Sequence, residues 1–274
     1  MAVISIPDSC STIALCGGPY SNFAAVQAFL EETSGLTHRF CLGDMGGFGP
    51  DPNRTLELLR AAQVACLQGN YDHAVGHGLR DCGCGYSDPR DQQFAQISYD
   101  YTYAHTADHH RQWLQQLPEQ LVLEWCDRKI LLCHGSPSQV NEFVWESETP
   151  DERIEALLDQ HQVDGICATH TGLPWVRTVA GGRFWFNVGV LGRPAHEGRP
   201  QVYYGLLHHR QGQLVPELVP LSYDVAAVTA AMAAAGLPQE FIESLEQGVW
   251  TTCAEILPAA EKSVRRRVEV LSLH

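Results

Sequence analysis

Residues 39–72 read RFCLGDMGGFGPDPNRTLELLRAAQVACLQGNYD, and this stretch decides the fold. Residues 39–42 are a short apolar run that stops at Gly43-Asp44; residues 52–60 carry a helical pattern opened by a proline; residues 63–67 are a second apolar run that stops before Gly69-Asn70. Short apolar runs bounded by glycine and separated by a helical segment read as strand, helix, strand. Two strands joined by such a crossover run parallel, and ligands of an open α/β sheet gather beyond the carboxyl ends of its strands. Asp44 and Asn70 stand at those two ends.

The same unit extends in both directions. Upstream, residues 12–16 form an apolar run that enters Gly17-Gly18-Pro19-Tyr20-Ser21-Asn22, followed by Phe23, Val26, Ala28, Phe29 and Leu30 at helical spacing. Downstream, residues 121–125 and 130–133 flank a tight turn at Asp127-Arg128 and predict a hairpin that delivers His134. Residues 165–168 deliver His170, and residues 184–189 and 202–207 continue as strands. The alternation predicts an α/β fold. Residues 73–106 form an insertion-like stretch, and from Tyr223 onward the chain reads as helical over 225–235, 241–245 and 254–264, broken at Pro258. The expected organisation is one domain over 1–222 and a helical extension over 223–274 packed on it, serving as an appendage or as a homodimer surface.

Asp44, Asn70, His134 and His170 therefore all fall where strands end. A carboxylate, an amide oxygen and two imidazoles suit a hard or borderline divalent cation. Asp72, two residues after Asn70, is expected to orient its neighbours.

The order Gly43-Asp44, Gly69-Asn70-Tyr71-Asp72, His134-Gly135 and Thr169-His170-Thr171-Gly172 resembles the calcineurin-like metallophosphoesterases, whose pattern is D-x-H, G-D, G-N-H-D, a strand-end His before Gly, and G-H-x-H. The resemblance covers roughly residues 11–195 and implies a sandwich of two mixed β-sheets flanked by helices. It also implies that Asp44, Asn70, His134 and His170 hold one ion of Mn, Fe or Zn. The second ion of the family takes the D-x-H pair and the second His of G-H-x-H. Here Gly18-Pro19-Tyr20 and Gly172 stand opposite those positions, so one site is complete and the other has lost its private ligands. One ion per chain is the expectation. Tyr71 replaces the His that meets the scissile phosphate, so Tyr71 or Tyr20 would share the work of the missing ion, with Asp72 beside them. The implied function is a divergent phosphoesterase acting on a small phosphomonoester or phosphodiester; the alternative is a non-catalytic metal-containing binding or regulatory protein.

Composition bounds the partners. Of 274 residues, 45% are hydrophobic and 18% charged, which suits a folded chain with a large core. A formal charge of −14 repels nucleic acid polymers and anionic membranes. The first residues have no basic flank and meet a proline and an acid, unlike a secretory signal, so the expected location is cytoplasmic. On that expectation the ten cysteines are reduced, and Cys16, Cys41, Cys133 and Cys167 pack as small buried hydrophobes. The stretch His73, His77, Asp81, Cys82, Cys84, Asp88 and Asp91 follows Asn70 directly and offers a route to replace the lost ligands; a turn-rich lid is the simpler expectation. His105, His109 and His110 are expected on a helical surface, His208 and His209 on opposite faces of a strand, and Glu142 and Glu146 one helical turn apart on a solvated face.

Overall fold

The computed structural model describes residues 2–263. Its strands are β1 (Ala2–Ile6), β2 (Thr12–Cys16), β3 (Arg39–Cys41), β4 (Ala65–Cys66), β5 (Leu121–Trp125), β6 (Arg128–Leu132), β7 (Gly165–Ala168), β8 (Pro174–Thr178), β9 (Phe184–Val188), β10 (Val202–Arg210) and β11 (Gln213–Leu221). Its α-helices are α1 (Phe23–Glu32), α2 (Pro52–Ala61), α3 (Asn70–His77), α4 (Pro89–His105), α5 (Asp108–Leu114), α6 (Asp151–His161), α7 (Val225–Ala234), α8 (Gln239–Gln247) and α9 (Ala259–Lys262). One sheet has the order β1-β5-β6-β7-β9-β8 and the other β11-β10-β2-β3-β4. Both mix parallel and antiparallel pairs, as β7 with β9 and β8 with β9 illustrate.

Ile13, Leu15, Phe40 and Leu42 from one sheet and Leu123, Ile130, Leu132 and Phe186 from the other fill the space between the sheets. The outer faces are covered by helices: Val26, Phe29, Leu56 and Leu59 on one side, Ile154 and Leu158 of α6 on the other. This is the expected α/β sandwich. Its consequence for function is geometric. β2, β3 and β4 run parallel in one sheet and β6, β7 and β9 in the other, so each sheet sends its loops toward one end.

Several local expectations shift. The β5–β6 turn is Cys126-Asp127, one residue earlier than the sequence indicated; both residues have positive φ (50° and 61°), as a two-residue hairpin turn requires. Much of the 73–106 stretch is helix: α4 starts at Pro89, with the Asp88 side chain accepting from the Arg90 and Asp91 amides. The weak apolar patterning of α4 hides it in the sequence, because it packs through scattered residues such as Ser98, Tyr99 and Thr102. Glu142 and Glu146 share no helix; Glu142 pairs with Arg153 across a loop. In the tail, only residues 259–262 of the expected last helix are helical, and Val264 lies outside the described residues.

α7 and α8 do not stand apart. Val228, Met232, Phe241 and Leu245 pack with Phe23 of α1, and Phe48 and Phe94 join the same cluster. Past α8, Trp250 and Leu257 pack with Trp145 and Leu173. The chain after α8 thus lies over the end of the sandwich where the loops converge. No helix of the described residues is long and apolar enough to cross a membrane.

Candidate metal centre and the cavity above it

Each donor arrives from a different strand end. Asp44 follows β3, Asn70 opens α3 just after β4, His134 follows β6 and His170 follows β7. Two donors come from each sheet, and Asp44, His134 and His170 meet because both sheets end at the same edge.

The loops carrying Asp44 and Asn70 are locked together. Gly43 has φ +93°, and a Cβ there would lie 2.4 Å from the Gly69 nitrogen, so the two backbones touch and only glycine fits. Asp72 bridges them: its carboxylate accepts from the amides of Asp44 (2.7 Å), Gly69 (2.9 Å) and Met45 (3.0 Å). The Tyr71 amide in turn donates to Asp44 Oδ1 at 2.9 Å, at the N-terminus of α3 where a negative charge is favoured. Asp44 itself adopts φ 57°, a conformation these bonds hold in place.

His134 is oriented from the opposite sheet. Its Nδ1–H donates to the Leu42 carbonyl at 2.7 Å, which commits Nε2 to face the cluster. Nε2 lies 3.2 Å from Asp44 Oδ2 and 3.1 Å from His170 Nδ1. Donors sharing one ion at about 2.1 Å each are separated by roughly 3.0–3.4 Å, so Asp44, His134 and His170 have the spacing of neighbouring ligands. All three are buried, and their ligand atoms lie within 4.8 Å of one another.

Two further observations fit a cation. Asn70 donates through Nδ2 to the Cys82 carbonyl (2.9 Å) and toward Cys84 Sγ (3.4 Å), which leaves its Oδ1 buried without a partner. A buried amide oxygen without a donor costs free energy on the order of 1–3 kcal/mol unless something electropositive meets it. The charge state of the imidazoles points the same way. Burial, then the charge of His134, pushes His170 down to about 3, so it stays a neutral ligand. Burial opposes a charged His134, but Asp44 outweighs it and raises His134 above the ordinary imidazole value. Burial likewise opposes an ionised Asp44, yet His134 and the Tyr71 amide hold it below the usual carboxylate range. A proton on His134 thus serves Asp44 where a metal cation would, and loading a metal would release it.

Above these donors lies a cavity of about 60 Å³, enough for a few waters when each needs about 10–15 Å³. Asp44, His170, Tyr20, Tyr71, Phe143, Arg193 and Trp250 are among its walls. Tyr71 donates its hydroxyl to Ser98 at 2.7 Å, and burial raises the pKa of both Tyr71 and Tyr20, so both phenols stay protonated. Asp72 lies behind the donors rather than in the cavity wall; burial, then the Asp44 charge, pushes it up to about 8.

The positions lacking metal ligands are filled by other groups. A Cβ on Gly17 would meet Thr169 Oγ1, and one on Gly18 would meet Val190 and the Tyr20 ring, so the turn opposite D-x-H is packed solid. Gly172 has φ +76°, and a Cβ there would come within 3.0 Å of the Trp250 indole. Trp250, from the tail, occupies the side of Gly172 on which a side chain would project.

The candidate replacements after Asn70 do not converge. His73 and His77 stack on each other at 4.4 Å on the exposed face of α3. Cys82 and Cys84 are joined as a disulfide, which corrects the expectation of reduced thiols for this pair and withdraws both thiolates; the other eight cysteines are free. Asp81 accepts from the Gly83 amide and Asp88 caps α4. Asp91 accepts from the Glu255 and Ile256 amides and so fastens the tail. His105 is exposed, but His110 is buried, 3.6 Å from Glu57 and clustered with His109. His208 is buried between Thr12 and Glu217.

Sequence reading missed Arg193 and Trp250. Arg193 sits between Gly192 and Pro194 just past β9, a strand end like the other four, and that position was the available signal.

Residues 1–212 match the family model of the calcineurin-like phosphoesterase superfamily domain. The fold is similar to that of a metallophosphoesterase from Sphaerobacter thermophilus, with a TM-score of 0.69 and 25% identity over 88% of this chain and 100% of that one. It is also similar to a hypothetical protein from Pyrococcus horikoshii OT3, with a TM-score of 0.73 and 20% identity over 86% and 98% of the two chains. An uncharacterised protein of Methanocaldococcus jannaschii is 24% identical over 254 residues, 87% of this chain and 98% of its own.

Proposed function

Because the chain belongs to the calcineurin-like phosphoesterase superfamily, we propose that it hydrolyses a small phosphomonoester or phosphodiester with one divalent ion held by Asp44, Asn70, His134 and His170. The observation that carries this reading is the convergence of three buried donors from both sheets around His134 Nε2, supported by a buried Asn70 oxygen without a hydrogen-bond partner. When bound, Mn, Fe or Zn supplies Lewis acidity and a water of lowered pKa.

The remaining work belongs to the protein. Asp44 brings the single formal negative charge among the four donors, and the Leu42 carbonyl fixes the ring of His134 so that its donor atom needs no reorganisation. Phe143, 4.4 Å from His170 ring to ring, and Trp250 wall the cavity and keep bulk water from the donors. Tyr20 and Tyr71, kept protonated by burial, are hydrogen-bond donors for phosphate oxygens and not proton shuttles near neutrality. Asp72 acts by holding the Asp44 and Asn70 loops in register.

The test is element analysis of the purified protein together with turnover of a chromogenic phosphomonoester and bis-phosphodiester in added Mn²⁺. One ion per chain, lost with turnover in Asp44→Asn, is the expected result. The vacated second site favours a second reading, a non-catalytic binding protein on the same fold: one ion and no turnover above the Asp44→Asn level would establish it. No ion at all would overturn the metal assignment.

A further inference from the structure

Arg193 is 6% exposed, yet no carboxylate pairs with it directly; the buried Asp91 acts on it only from beyond ion-pair distance. Among the described residues no carboxylate comes within ion-pair distance of it, and of its five N–H donors only one, on Nη2, has a hydrogen-bond acceptor, the Thr252 carbonyl. Its Nε is buried without a partner. What holds the guanidinium is aromatic: its carbon lies 4.0 Å from the Trp250 ring centre and 5.3 Å from that of Phe48. A buried charge without a direct counter-ion is strongly disfavoured, and a ligand anion reaching its free N–H groups would satisfy it.

The seat of this arginine is rigid. The Leu191 and Gly192 amides donate to the Gly17 and Gly18 carbonyls at 2.8 Å each, and the Trp250 indole N–H donates to the Pro194 carbonyl at 2.7 Å. Trp250 and Thr252 lie beyond residue 212, outside the segment that matches the family model. The tail therefore fixes in place a cation of the matched segment, Arg193, in the wall of the same cavity that Asp44 and His170 line.

We propose that Arg193 is a phosphate-binding residue, whose guanidinium takes the oxygens of a phosphomonoester dianion and supplies the positive charge that one metal ion alone leaves missing. The inference rests on the phosphoesterase reading above. A divalent ion beside the Asp44 carboxylate leaves a net charge of about +1. A phosphodiester monoanion would neutralise that by itself, and Arg193 would then be left with only the more distant Asp91 as counter-charge. A monoester dianion balances the ion, Asp44 and Arg193 together. The planar fork of arginine also suits two oxygens of one phosphate. Tyr20 and Tyr71, on the same wall, are uncharged and do not alter the balance.

The experiment measures calorimetric binding of inorganic phosphate and of diethyl phosphate near pH 8 to the full chain, both metal-free and loaded with Mn²⁺. It compares wild type with Arg193→Met and Arg193→Lys, alongside metal content and thermal midpoint. Expected are phosphate binding by wild type, preference for inorganic phosphate over the diester, and a loss of about 10–100-fold in Arg193→Met with a smaller loss in Arg193→Lys. Metal content should be unchanged, and unliganded Arg193→Met should melt no lower than wild type, because methionine removes an unpaired buried charge. A residue with a purely structural role would give a lower melting point and unaltered phosphate affinity, and that result overturns the proposal. Equal affinity for the diester overturns the dianion assignment. If wild type takes up no metal yet still binds phosphate through Arg193, the metal reading and the dianion balance fail while phosphate binding by Arg193 stands.

Discussion

Substituting alanine for Gly172 reports on whether the tail truly closes the site. Gly172 has φ +76°, where a side chain costs about 1–2 kcal/mol, and its Cβ would lie 3.0 and 3.1 Å from two atoms of the Trp250 six-membered ring. Overpacking of this kind adds about 1–3 kcal/mol, so Gly172→Ala should destabilise the protein by roughly 2–5 kcal/mol in total. Trp250→Phe removes those two ring atoms while keeping an aromatic wall. In that background only the backbone part should remain, so Gly172→Ala should cost about 1–2 kcal/mol there. Urea unfolding of wild type, both single variants and the double variant closes the cycle. The double variant should be more stable than the sum of the singles by about 1–3 kcal/mol. Additivity within about 0.5 kcal/mol would mean that Trp250 does not lie against Gly172, and the seat assigned to Arg193 would fall with it.

Stability of the metal-free protein should depend on pH through His170. Its folded pKa of about 3 lies below the ordinary 6.5, so the unfolded chain binds the proton more readily and the His170 contribution to stability falls as pH drops from about 6.5 toward 3. Asp72, pushed up to about 8, contributes with the opposite sign as pH drops from about 8. His134, raised above the ordinary value, is protonated in both states only well below 6.5 and adds no slope in that lower part of the window. His170→Gln should therefore flatten the acid limb of the stability curve relative to wild type in chemical denaturation; parallel curves would refute the assignment. Asp72→Asn keeps one carbonyl oxygen but turns an amide group toward the loop amides. It should cost about 1–3 kcal/mol for a buried N–H left without an acceptor, and lower metal affinity about 10–100-fold by loosening the Asp44 and Asn70 loops. Titration of the variant with Mn²⁺ checks this, and unchanged affinity would show that the loops hold without the bridge.

By itself, the sequence determined where the strands end and which donors stand there. The runs before Asp44, Asn70, His134 and His170 are short, apolar and stopped by glycine or a polar residue, a signal written within a few neighbouring positions. The same local logic showed that Gly18 and Gly172 offer no ligand. It did not reveal β1, β8 or β11: β1 pairs only with the distant β5, and β11 carries two prolines on a sheet edge. It also hid α4, whose buried residues, Asp91, Ser98, Tyr99 and Thr102, form no apolar stripe.

Tertiary structure alone decided what fills the space around the donors. Trp250 against Gly172, the Thr252 carbonyl on Arg193 and the Asp91 carboxylate on the Glu255 and Ile256 amides each join residues at least 59 positions apart. No periodicity connects such pairs, because their meeting is set by how α7 and α8 pack on Phe23, Phe48 and Phe94. The pairing of Cys82 with Cys84 and the outward turn of His73 and His77 are set by the placement of α3 against the loop that follows it. A charge such as Arg193 reads as surface in a sequence; burial without a direct counter-ion is a property that only the folded chain possesses.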